Sequence, residues 1–153
     1  AFAEALACVT RRLCRAIAKD GEGAGRLLTC RVSGARSAAD ARTIAKAVIC
    51  SSLVKTAMAG ADANWGRVLC AVGYCGAAVD VNGVAVRFSS AAGTVAVCEN
   101  GHGVPFSEET AKAVLSADEI DILLDLADGD ACAEAWGCDL TCEYVKINSD
   151  YRT

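Results

Sequence analysis

No uninterrupted apolar run in this 153-residue chain reaches the length of a bilayer crossing, because charged or polar residues interrupt every candidate. An integral membrane helix is therefore not expected. Basic residues are short as well, with 15 Lys plus Arg against 19 Asp plus Glu and a net charge of -4, so free DNA or RNA is not the expected partner. The chain has no C-x-x-C pair, and its one histidine, His102, lies in a Gly-rich turn; a zinc site is not expected. It shows no internal repeat and no linker. A composition of 54% hydrophobic and 22% charged residues makes the chain a poor candidate for disorder. One domain with a proper core is what this length allows.

Ten cysteines are present, and their spacing fits neither a metal site nor a disulfide scaffold. Cys8, Cys14, Cys50 and Cys70 stand in helical patterns where Ala or Val would serve, as small core hydrophobes do. Free thiols imply a reducing compartment. Arg11, Arg12 and Arg15 give the first residues a superficial likeness to a targeting peptide, but Glu4 and Asp20 argue for a mature amphipathic helix instead.

That helix is predicted over residues 1 to 19, where Phe2, Leu6, Val9, Leu13 and Ile17 recur at near-helical spacing. A tight loop follows at Asp20-Gly21-Glu22-Gly23-Ala24-Gly25. Leu27 to Val32 reads as a strand. Ser37 then caps a helix to about Cys50, with Asp40 three residues on. Leu53 to Met58 reads as a buried strand, and Trp65 to Tyr74 as a helix capped by Asn64 or Asp62. Val84 to Phe88 and Thr94 to Cys98 form a hairpin. Ser107, Glu109 and Thr110 open a helix to Leu115. Glu119 to Leu126 and a long strand from Ala131 to Ile147 are expected to pair about Asp128-Gly129-Asp130. Without regular β-α-β alternation, the expected class is α+β, a layered α/β sandwich of mainly antiparallel strands with packed helices.

Three stretches hold polar residues that a core or turn does not need. Glu22, flanked by glycines, could receive a ligand's ammonium group, or it could be a solvated loop charge. GEG is no dinucleotide fingerprint, since the helix precedes the glycines. Asn64-Trp65-Gly66-Arg67 reads first as a cap with packing. At the other end, Tyr144 to Ile147 have the aromatic and β-branched character of a strand, and six residues follow. A strand running almost to the terminus suggests a placed terminus, where Asn148 and Thr153 together could hold an amino acid. The alternative is a plain edge strand with a solvated end.

Taken together, DGEGA at 20 to 24, SGARS at 33 to 37, SLVKTA at 52 to 57, NWGR at 64 to 67, AVGYCG at 71 to 76 and CDLTCEYVKINSDYRT at 138 to 153 resemble the ornithine acetyltransferase family, in order and spacing, over almost the whole chain. This is the bifunctional glutamate N-acetyltransferase and amino-acid acetyltransferase family of the cyclic arginine pathway. The resemblance implies a precursor that cuts itself into α and β chains, the N-terminal threonine of β being the nucleophile. An acetyl group would pass from N-acetylornithine to glutamate through an acetyl-enzyme, in a ping-pong scheme. A Thr-Gly pair of the α chain would form the oxyanion hole. Neither is visible here, so the chain resembles the C-terminal part of a β chain, one domain over 1–153, and alone is expected to be inactive.

By the same resemblance, Glu22 matches the acidic residue of the GEGA loop, Asn148 the asparagine of KIN, and Thr153 the C-terminal threonine. These three are the expected substrate-binding residues. The resemblance further implies an α chain as partner in an α2β2 heterotetramer, and small amino acids as substrates. No metal or resident cofactor is implied, with acetyl-CoA a further acetyl donor in bifunctional members. The implied location is the cytoplasm, or a mitochondrial matrix or plastid stroma in a eukaryote. Gly25 and Arg26 depart from the Thr-Lys that usually follows GEGA, and Cys70, Cys75 and Cys142 from the family's common residues. A noncatalytic binding or assembly module that keeps the fold, and a related self-cleaving aminopeptidase, are the alternative readings.

Overall fold

A computed structural model of the chain describes residues 1–149. Its centre is a six-stranded sheet in the order β4-β3-β2-β5-β1-β6, built from β1 (Leu27–Ala35), β2 (Ala85–Ser90), β3 (Gly93–Glu99), β4 (His102–Gly103), β5 (Glu119–Asp125) and β6 (Ala131–Cys138). Only β1 and β5 run parallel; the other four pairings are antiparallel. The α+β class with mainly antiparallel strands is what the structure shows.

Strand alternation sets the two faces. Leu28, Cys30 and Val32 of β1, Ile120, Ile122 and Leu124 of β5, and Val86 and Phe88 of β2 are buried on one side. That side packs against α2 (Ala38–Cys50) and α5 (Glu108–Leu115), with α3 (Ser52–Ala59) and α4 (Trp65–Tyr74) stacked on α2. Opposite Leu28, Cys30 and Val32 stand Gly137, Ala135 and Ala133 of β6. These small residues let α2 approach the strand; a Cβ at Gly137 would collide with Ile49. The other face carries Arg31, Asp121, Glu134 and Arg87. It bears a shallow cleft of about 710 Å³ lined in part by Arg31, Arg87, Glu134 and Trp136. Across its β1–β6 edge lies α1 (Phe2–Lys19).

Three helix starts follow the capping chemistry expected of them. Ser37 Oγ accepts from Asp40 N, Asn64 Oδ1 from Arg67 N and Ser107 Oγ from Thr110 N. Arg67 donates to Leu53 O and Thr56 Oγ1, so the Asn64 to Arg67 stretch works here as a cap and a helix–helix strap.

The structure corrects four expectations. Leu53 to Met58 is helical, because Ser51 caps it and Val54, Ala57 and Met58 are buried at helical spacing while Leu53 is left exposed. The strand expected from Ala131 to Ile147 ends at Cys138, and residues 142–149 form α6 (Cys142–Ser149). Nor do β5 and β6 form a hairpin: β5 already has β1 and β2 on its two edges, so β6 crosses to the free edge of β1. All ten cysteines are free thiols, yet Cys8, Cys14, Cys50 and Cys70 are exposed, and it is Cys30 and Cys98 that sit in the core.

Candidate functional site

Register brings the two outlying segments of the sequence together. Leu27, the first residue of β1, stands opposite Cys138, the last of β6. The glycine loop entering β1 and the chain leaving β6 therefore emerge at the same end of one antiparallel ladder.

Asp139 joins them. Its Oδ1 accepts from Gly25 N at 2.8 Å and Arg26 N at 3.1 Å, while Oδ2 lies 3.7 Å from Arg26 Nη1. The side chain is 1% exposed, and among the described residues Oδ2 has no hydrogen-bond partner. Arg26 Nη1 also donates to Met58 O and Ala59 O, the last carbonyls of α3, where a cation is favoured. One carboxylate and one guanidinium thus tie the loop, α3 and the β6 exit into a single body.

The second tie is Thr141, whose Oγ1 donates to Gly23 O at 2.6 Å and accepts from Glu143 N at 3.2 Å. The hydroxyl starts α6 as its cap and holds it to the loop. Gly23 has φ of +66°, and a Cβ there would lie 2.5 Å from Tyr144 N. Only glycine lets α6 come this close.

With the two segments held, Asn148 Nδ2 donates to Glu22 Oε2 at 3.1 Å and to Tyr144 O at 2.9 Å. Both acceptors fix the amide's orientation, and among the described residues Asn148 Oδ1 has no partner. An exposed carboxylate and a free amide oxygen are consequently presented side by side, two acceptors suited to a ligand's ammonium or amide N–H. Of the three residues expected to bind substrate, the structure brings Glu22 and Asn148 together; Thr153 lies outside the described residues. The cleft on the open sheet face is lined by none of the residues at 20–26 or 139–149.

Asp139 and Thr141 were not singled out from the sequence. A Thr two residues before a Glu and directly before a short polar-apolar run is a cap signal, but reading the segment as a strand hides it. No cluster of three His, Cys, Asp or Glu suited to a metal ion occurs among the described residues.

The ArgJ family model matches residues 1–153. The arginine biosynthesis bifunctional protein ArgJ of Caldanaerobacter subterraneus subsp. tengcongensis is 53% identical over 152 residues, covering 99% of this chain and 38% of that protein. The glutamate N-acetyltransferase of Methanopyrus kandleri is 47% identical over 152 residues, covering 99% of this chain and 39% of that protein. The crystal structure of the arginine biosynthesis bifunctional protein argJ from Bacillus halodurans superposes with a TM-score of 0.92 at 41% identity, covering 98% of this chain and 69% of that chain. The chain spans under two-fifths of the length of these curated relatives.

Proposed function

The chain belongs to the ArgJ family, and on that premise we propose that it is the substrate-binding part of an acetyltransferase that moves an acetyl group from N-acetylornithine to glutamate. The Glu22–Asn148 pair carries the reading: two residues 126 positions apart in sequence converge as a carboxylate and an amide oxygen without a partner among the described residues, acceptors suited to an amino group.

In this scheme a threonine outside the chain attacks the acetyl carbonyl of N-acetylornithine. The amide C–N bond breaks, an acetyl-threonine forms, and ornithine leaves with its α-nitrogen protonated. Glutamate's amine then attacks the acetyl-enzyme, makes the new amide and restores the threonine, so one hard transfer becomes two easier ones. Glu22 binds the α-ammonium of ornithine or glutamate, Asn148 hydrogen-bonds a polar end of the same molecule, and Thr153 is assigned the same kind of contact. The nucleophile is supplied by an α/β precursor, the working assembly is an α2β2 heterotetramer, and the chain alone does not turn over. Acetyl-CoA serves as a second acetyl donor if the enzyme is bifunctional. The cytoplasm, where free thiols and amino-acid biosynthesis coexist, is the proposed location.

The test joins the chain to the rest of its precursor and measures ornithine release from N-acetylornithine with glutamate present. Glu22→Ala removes a charge-assisted contact of about 1.5–3 kcal/mol, so KM for the amino acid is expected to rise roughly tenfold to a hundredfold. A correctly cleaved protein that acetylates none of the amino acids tried overturns the transferase reading and leaves a binding or assembly module.

A further inference from the structure

The sheet face opposite α2 and α5 carries charges that are only partly satisfied. Register sets them in a row across four strands. Arg87 of β2 and Arg31 of β1 both stand beside Leu123 of β5, and Glu134 of β6 is opposite Arg31. With neighbouring strands about 4.8 Å apart, the two arginines rise roughly 10 Å from each other, one on each side of an apolar platform. Alternation puts Trp136 on the same face of β6, two residues from Glu134. All five residues line the cleft of about 710 Å³ on this face.

Four guanidiniums line the cleft, those of Arg11, Arg31, Arg42 and Arg87, against the two carboxylates of Asp125 and Glu134. Only one of the four is well held. Arg31 pairs with Glu134 and lies 3.5 Å from Asp121, which leaves Arg11 no closer than 3.8 Å to Glu134. Arg87 comes within 3.9 Å of Glu99, and Arg42 is exposed and forms no ion pair among the described residues. Asp125 is itself engaged, since its Oδ1 accepts from Ala127 N. In a chain of net charge -4, a concave surface lined by more cations than carboxylates draws anions. Guanidinium forks suit phosphate oxygens taken in pairs, and an indole suits a flat ring. A cleft of this volume belongs with sites for cofactor-sized ligands, not for a single amino acid.

We propose that this cleft is a binding site for a nucleoside phosphate, with the phosphates held by Arg11, Arg42 and Arg87 and the base laid against Trp136. Arg31, already engaged by carboxylates, fixes the floor. The cleft lies apart from the Glu22–Asn148 pair: Arg31 is four residues along β1 from Leu27, about 13 Å at 3.3 Å per residue. Two sources supply such a ligand. One is a free nucleotide that regulates the enzyme. The other is the adenosine phosphate head of acetyl-CoA, whose long arm carries the acetyl group away from the head and along β1 toward the amino-acid pair. This second source rests on the acetyltransferase reading; binding of the nucleoside phosphate does not.

The experiment titrates the whole precursor by calorimetry with ADP and with inorganic phosphate, as wild type and as Arg42→Gln, Arg42→Gln/Arg87→Gln, Trp136→Leu and Lys46→Gln. Lys46 stands one turn on from Arg42 on α2 and does not line the cleft, so its variant removes the same charge elsewhere. ADP should bind wild type more tightly than phosphate does, and added salt should weaken it. Affinity for ADP should fall about tenfold in Arg42→Gln and roughly a hundredfold in the double variant. Trp136→Leu should lose about fivefold, and Lys46→Gln should match wild type. Absence of ADP binding to the intact precursor overturns the proposal. An equal loss in Lys46→Gln and Arg42→Gln overturns it too, by reducing the effect to net charge, and phosphate that binds as tightly as ADP removes the base from the site. Kinetics separate the two sources. ADP that competes with acetyl-CoA in wild type but not in Arg42→Gln, and leaves transfer from N-acetylornithine unchanged, identifies the head of acetyl-CoA. ADP that shifts the KM for N-acetylornithine identifies a free effector. A precursor that binds ADP with these variant effects and transfers no acetyl group keeps the site and sinks the transferase reading.

Discussion

Replacing Asp139 is the sharpest probe of how the site is held. Its Oδ1 accepts from two backbone N–H groups of the glycine loop, and its side chain is 1% exposed beside an Arg26 that is 20% exposed. Asp139→Ala removes both charge-assisted bonds and strands Arg26 without its carboxylate. Breaking a largely buried pair by deleting one partner costs about 3–5 kcal/mol. Asp139→Asn keeps the shape, and its Oδ1 can accept from the same two donors. Each bond then drops from the charged to the neutral range, a loss of about 1 kcal/mol apiece, and the new NH₂ faces the Arg26 guanidinium at the distance Oδ2 held. The weakened bonds cost Asn about 2 kcal/mol on top of the Arg26 attraction that both variants lose, so the Asn total stays below that for Ala, which loses the two bonds outright. Urea denaturation at constant m value measures both. An Ala variant that loses under about 1 kcal/mol, or an Asn variant as damaged as Ala, would refute the clamp, since each bears on a different part of it.

Gly23→Ala forces a Cβ against the backbone of α6 at a positive φ; a lower melting temperature and a KM increase similar to that of Glu22→Ala are expected, and an unchanged KM would separate the loop from the site. Thr141→Val deletes the cap of α6 and its bond to Gly23 O, with an expected loss of about 1–2 kcal/mol; exchange protection in residues 142–149 that matches wild type would count against it. Burial pushes the Cys30 thiol well above its ordinary range. It raises Cys98 too, with the Glu99 charge adding to the shift and a backbone hydrogen bond to Gly101 partly offsetting it. A raised thiol stays protonated where ordinary thiols ionise, and the thiolate is the reactive form. Native-state alkylation at pH 8 should therefore mark Cys50 and Cys132 well before Cys30 and Cys98, and equal rates in a mass-spectrometric time course would contradict the burial.

Local chemistry made much of this fold legible. Ser37, Asn64 and Ser107 announce helix starts with their own side chains, and Arg31 and Ser33 on either side of Val32 mark the more open face in the second half of β1. Two segments resisted for opposite reasons. Leu53 to Met58 contains enough apolar residues to fill either face of a strand, and only the buried trio Val54, Ala57 and Met58 reveals the helical period. Tyr144 to Ile147 has strand composition but buries nothing, so its conformation is set by the Thr141 cap and the contact with Gly23 rather than by intrinsic preference. The position of β6 beside β1 was illegible because it depends on which sheet edge is vacant, a property of the whole sheet. Glu22 and Asn148 could be named from their resemblance to family motifs. That they touch follows only from the β1–β6 register.

That register also orders events during synthesis. A chain made from its N-terminus displays the glycine loop long before Asp139, Thr141 and Asn148 exist to hold it. Strand β6 is an edge strand, so the other five strands can assemble while it is still unmade. Closing a long loop costs only about 0.6 kcal/mol more for each doubling of its length; the sequence separation imposes a delay more than an energetic burden. The Glu22–Asn148 pair is consequently among the last contacts of the described residues to form, and a ribosome that stops before residue 139 releases a chain with most of its sheet and without that pair.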